Sequence, residues 1–84
     1  MLNLNETVGM MNSPDYKERF KAEVYQLDIR INKLLTMLSA WEAGKLSFQP
    51  TCSYDLLSAQ LDSMKVYRHF LCERAKIEGI ALYV

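Results

Sequence analysis

The chain has 84 residues, with ten basic and ten acidic side chains and a formal net charge of zero. A balanced charge argues against a polybasic coat for DNA or RNA and against a basic membrane binder, both of which need a field of one sign. At this length there is room for one domain, near the lower limit of independent stability.

Residues 1–12 mix polar and apolar side chains without a sustained period, and a short helical turn and a loose lead are both open there. This start has neither the basic opening nor the apolar centre of a signal peptide, and no later run approaches the roughly 20 apolar residues of a membrane span. The chain therefore reads as cytosolic, with no membrane partner. Ser13-Pro14-Asp15 is a helix start: Ser13 as N-cap, Pro14 at the first helical position and a carboxylate at the positive end of the helix dipole. From there Phe20, Val24, Leu27, Ile31, Leu34, Leu38 and Trp41 recur at alternating steps of four and three. This is a continuous heptad-like seam. The spacing predicts a helix over 14–43, about 45 Å long, with Gly44 as its left-handed stop.

Residues 44–53 form the connection. Pro50 blocks helix propagation, and Leu46 and Phe48 are expected to tuck under the end of the hairpin. Ser53 caps a second helix over 54–78, with Gly79 as its stop. Its core seam is Leu57, Leu61, Met64, Leu71 and Ala75, with Tyr67 or Arg68 filling the gap. The tail, 79–84, is apolar and too short to fold alone, so it is expected to pack on a neighbouring helix or subunit. The fold class is all-α: an antiparallel two-helix hairpin over 13–84 behind the N-terminal lead of 1–12.

Each helix also carries a second, mixed stripe: Tyr25, Ile29, Asn32, Thr36 and Ser39 on the first, and Leu56, Gln60, Ser63, Tyr67, Phe70, Arg74 and Ile77 on the second. One seam is enough for a hairpin, but a single pair of helices buries little. Ordering about 60 residues costs about 90 kcal/mol at roughly 1.5 kcal/mol each. A disulfide does not help, because Cys52 and Cys72 would stand about 29 Å apart along the second helix, whereas bridging needs Cα atoms within about 7 Å. With one histidine and no Cys-x-x-Cys pair, no metal site is expected. Oligomerisation remains, and the second stripes are expected at subunit interfaces.

No catalytic constellation stands out: there is no glycine-rich phosphate loop and no nucleophile elbow. Asp15, Glu18, Glu23, Asp28, Glu42, Asp55, Asp62, Glu73 and Glu78 read as solvated, capping or i,i+4-paired charges, and no enzyme is expected. One polar stripe is more informative. Tyr16, Arg19, Glu23, Gln26, Arg30 and Lys33 follow the same three-four rhythm, with Tyr16 and Lys33 about 25 Å apart. On an isolated helix this is a solvated flank. Across a two-fold axis, an antiparallel neighbour brings its Tyr16 towards the basic end, offering a ring for a nucleobase and cations for phosphate.

Four stretches carry a resemblance: Asp15-Tyr16-Lys17-Glu18-Arg19-Phe20, Trp41-Glu42-Ala43-Gly44-Lys45-Leu46, Pro50-Thr51-Cys52-Ser53 and Glu73-Arg74-Ala75-Lys76-Ile77-Glu78-Gly79-Ile80. In this order and spacing, over about residues 15–80, the chain resembles the anti-CBASS nucleotide sponges of phages, whose helical-hairpin domain is shared with some anti-Thoeris sponges. The resemblance implies a non-enzymatic protein without a cofactor that sequesters cyclic oligonucleotide second messengers in the cytoplasm of the infected bacterium, blocking CBASS signalling. It implies a compact homohexamer of hairpins, with cyclic dinucleotides held between paired protomers and cyclic trinucleotides at separate three-fold sites. Tyr16 matches the aromatic that stacks on a base. Lys33 is the best match for the phosphate-pairing lysine, with Arg30 one turn earlier as alternative or helper. For the three-fold site, Arg74 is the best cation and Thr36 a hydrogen-bonding partner. Two other readings stay open: a structural or protein-binding hairpin that grips a host protein, and a sponge for cyclic ADP-ribose isomers.

Overall fold

A computed structural model describes residues 3–83; the outermost residues of the lead and tail, 1–2 and 84, lie outside it. Among the described residues the chain is all-helical. A 3-10 turn, Asn5–Thr7, runs into the short α1, Val8–Met11, followed by the long α2, Tyr16–Glu42, and by α3, Tyr54–Glu78.

The long helix starts later than the sequence suggested, because Asp15 rather than Ser13 is its N-cap. Asp15 is extended, and its carboxylate accepts from the Lys17 N–H at 2.9 Å. Pro14 disfavours helical backbone at the residue before it, so Ser13 is left two positions before the cap, where its hydroxyl accepts from the Asp15 N–H at 3.1 Å. At the other end Gly44 takes a φ of 70°, and Lys45 and Gly44 N–H groups bond back to the Ala40 and Trp41 carbonyls. That double closure is a Schellman stop. In α3, the Ser53 hydroxyl accepts from Leu56 N–H at 3.1 Å, and Gly79 ends the helix at φ 68°.

The two long helices run antiparallel. Trp41 meets Tyr54 edge-on at 5.5 Å at the connection end, and Arg74 lies 4.9 Å over the Phe20 ring at the other. Phe20, Val24, Leu27, Ile31 and Leu38 are buried against Leu61, Leu71 and Ala75, with Leu34, Trp41, Leu57 and Met64 packed partly buried around them. The gap in the α3 seam is filled by Arg68, which pairs with Asp28 through Nε and, at 3.3 Å, through Nη2. Tyr67 is exposed. Asp28 was expected among the solvated charges; it is buried instead. It stands one turn from both Val24 and Ile31, so it shares their inward face and needs a partner there.

Two further expectations change. Tyr25 and Ile29 were assigned to a subunit interface, yet both are buried within the chain. The tail covers Tyr25: the Tyr83 N–H donates to its hydroxyl at 3.0 Å, the two rings lie 4.5 Å apart, and Ile80 is buried in the core. Phe48 does not tuck under the hairpin but is 56% exposed, with Leu46 half-buried. The Trp41–Tyr54 pair already closes that end. The apolar face left open is on α3, where Phe70 is 59% and Ile77 85% exposed.

Candidate functional site

The polar stripe on α2 is divided by the lead. Thr7 is fully buried, and its Oγ1 accepts from Gln26 Nε2 at 2.9 Å; Gln26 also reaches the Met11 sulfur. Arg19 turns back to donate to the Ser13 carbonyl at 2.7 Å. Two middle members of the stripe thus hold the segment before the helix, and the ends remain for other work.

At one end, Tyr16 is 50% exposed in the first turn of α2. At the other, Arg30 and Lys33 are exposed and form no ion pair among the described residues. They border a groove of about 370 Å³, lined also by Leu4, Leu34, Met37, Gln60 and Met64. Its character is specific: two cations, one amide, an apolar lining and no carboxylate. Seventeen helical rises, about 25 Å, separate Tyr16 from Lys33. One protomer therefore places Arg30 and Lys33 together and keeps Tyr16 apart from them.

Thr36 and Arg74 are also separated within a protomer. Thr36 is exposed on α2. Arg74 lies against Phe20, with its Nε 3.3 Å from the Glu78 carboxylate. Phe20 and Thr36 are about 24 Å apart along the helix.

A larger groove of about 660 Å³ lies on the other flank, lined by Asp28, Lys65, Arg68, His69, Glu73 and Tyr83 among others. The sequence reading did not anticipate it. Its cations are largely answered in place: Arg68 by Asp28, and Lys76 by Glu73 at 3.0 Å. The hydrogen bond to Asp28 raises the Arg68 pKa further, so this guanidinium stays charged and engaged. Burial, and then the Asp28 hydrogen bond, push the Tyr83 phenol well above the usual tyrosine range. The hydrogen bond from Lys76 lowers the Glu73 carboxyl. Size favours this groove, but charge favours the smaller one for an anion, since carboxylates facing a phosphate oppose its binding.

Of the smaller groove's lining, Gln60 was visible in sequence as a polar member of the second α3 stripe. Leu4 was not, because the lead has no period to place it. Among the described residues, no three His, Cys, Asp or Glu side chains gather as metal ligands, and no helix is long and apolar enough to cross a membrane.

No curated protein and no solved structure matches the chain. A family model does: the one described as Sequestin matches residues 14–77, from Pro14 through nearly all of α3. That match covers both cations of the groove, Tyr16, Thr36 and Arg74, and leaves the lead outside. It agrees with the sponge resemblance and implies binding of a small molecule rather than catalysis. The chain belongs to the Sequestin family, whose character is that of a sequestering, sponge-like protein.

Proposed function

We propose that this protein binds and sequesters cyclic oligonucleotide second messengers, cyclic dinucleotides first and cyclic trinucleotides at a second class of site, without cleaving them. It thereby blocks CBASS signalling in the cytoplasm of the infected bacterium. The observation that carries this reading is the groove of Arg30 and Lys33: two cations free of ion pairs beside apolar side chains, with no carboxylate in the lining. Lys and Arg pair with phosphodiester oxygens, and the apolar lining suits the face of a base. The same lining holds no histidine, carboxylate, serine or cysteine that would activate water or attack phosphorus, which supports retention over cleavage.

The cyclic dinucleotide has two bases and two phosphates around an approximate two-fold, and an isologous pair of protomers offers each residue twice in the same arrangement. A neighbour's Tyr16 then supplies the stacking ring that one protomer keeps about 25 Å away. The open α3 face of Leu56, Tyr67, Phe70 and Ile77 supports assembly of the protomers, in a homohexamer on the family resemblance. Arg74 and Thr36, far apart in one chain, meet a cyclic trinucleotide only where different protomers contribute them. The groove's chemistry also suits a cyclic ADP-ribose isomer, which carries an adenine and phosphates.

The test is a thermal-shift panel of cyclic dinucleotides, cyclic trinucleotides and cyclic ADP-ribose isomers, followed by heat release of the ligand and chromatography. A ligand at 100 times its Kd adds about 2.7 kcal/mol of stability, and the released ligand should be intact. Degraded ligand, or no shift with any cyclic nucleotide, refutes the reading.

A further inference from the structure

The ligand groove has a wall that does not come from the hairpin. Leu4, in the lead and outside the residues matched by the family, lines it together with Arg30, Lys33, Leu34 and Met37 of α2 and with Gln60 and Met64 of α3. A short chain of hydrogen bonds fixes Leu4 in that position. Its carbonyl accepts from the Thr7 hydroxyl at 2.7 Å and from the Thr7 N–H at 3.2 Å. Thr7 Oγ1 in turn accepts from Gln26 at 2.9 Å. Met10 packs against the core, so the lead is anchored at Thr7 and again beyond it, and its earlier end is presented to the groove.

An apolar side chain beside two unpaired cations suits a ligand that carries both phosphate and a flat ring. We propose that the lead is part of the binding site: Leu4 packs on the base of a phosphate-bound nucleotide unit, and the Thr7–Gln26 hydrogen bond is the latch that holds it there. This inference rests on the cyclic-nucleotide reading of the same groove. Gln26 stands midway along the ligand stripe of α2, yet it acts through the lead as a positioning residue.

Calorimetric titration of the full chain tests this, using one purine and one pyrimidine cyclic dinucleotide, with helicity and assembly mass recorded for every variant. Leu4 is only partly buried and lies outside the core, so Leu4→Ala leaves the hairpin intact. It should weaken the purine ligand about fivefold and the pyrimidine ligand less, because the smaller ring offers less area. Leu4→Ile should return affinity to within about twofold of the unaltered chain. Gln26→Ala should match Leu4→Ala, and the double variant should be no weaker than either single, since each removes the same wall. Unchanged affinity in Leu4→Ala, alongside lost binding in Lys33→Ala, overturns this inference and leaves the functional reading standing. Additive losses in the double variant overturn the latch. If the unaltered chain binds neither ligand, the functional reading itself falls, and the role of Leu4 with it.

Discussion

Arg68→Met tests the bond that joins the two long helices at mid-length. Methionine keeps an unbranched apolar stem in the α3 gap but removes both hydrogen bonds to Asp28. Asp28 is then left with the Tyr83 hydroxyl at 2.5 Å as its partner, on a side chain only 10% exposed. Taking one member from a fully buried ion pair costs about 3–5 kcal/mol. The Arg68 side chain is 41% exposed, so water enters the vacated position and re-solvates part of the carboxylate. The expected loss is about 2 kcal/mol, which lowers Tm by roughly 8–16 °C in a domain this size. Circular dichroism melts at fixed protein concentration measure this, because assembly makes Tm depend on concentration. Combining Arg68→Met with Asp28→Leu and Tyr83→Phe removes the stranded polar groups together and should recover most of the loss. A single variant that melts within about 2 °C of the unaltered chain would refute the reasoning, as would a triple variant that falls as far as the single.

Three further outcomes are expected. Gly79→Ala should cost about 1 kcal/mol, read as a lower melting temperature, because Gly79 sits at φ 68° with nothing within 4 Å for a methyl group to strike; an unchanged melt would show that the backbone relaxes there. Tyr83 has a raised pKa from burial and its bond to Asp28, so its stabilising contribution is complete below the unfolded value of about 10 and is lost as pH rises beyond it. Melts from neutral to alkaline pH should therefore decline less steeply in Tyr83→Phe, and equal slopes would refute that assignment. Phe70→Asp, on the open face of α3, should reduce the assembled mass in light scattering while leaving helicity intact; an unchanged mass would place the subunit contacts elsewhere.

The parts of this fold legible in sequence are those set by near neighbours. The Phe20–Trp41 seam repeats about once per helical turn, and each member is buried or packed because the next one is. The Ser53 cap and the glycine stops are equally local. Asp28 was illegible for the opposite reason. A carboxylate on the flank of a seam looks like any solvated charge until Arg68, 40 positions away, is known to face it. Tyr25 looked like interface for the same reason, since its cover comes from Tyr83, 58 positions along the chain. In the candidate site, Arg30 and Lys33 could be read from their spacing on one face. Their groove could not, because it takes walls from α3 and from an aperiodic lead.

The geometry of α2 also ties the ligand question to assembly. Tyr16 and Lys33 are fixed points on one uninterrupted helix, and helices of this length curve gently rather than fold back. No motion within a protomer can close the roughly 25 Å between them. The lead sharpens this constraint, because it covers Gln26 in the middle of the face and so denies a neighbour a bare helix to lie along. A second copy has access to the two ends of the stripe and to the open face of α3. If ring and cations act on one ligand, they must therefore come from different chains, meeting at the ends of their long helices. Each ligand bound there would stabilise the contact that creates its own site.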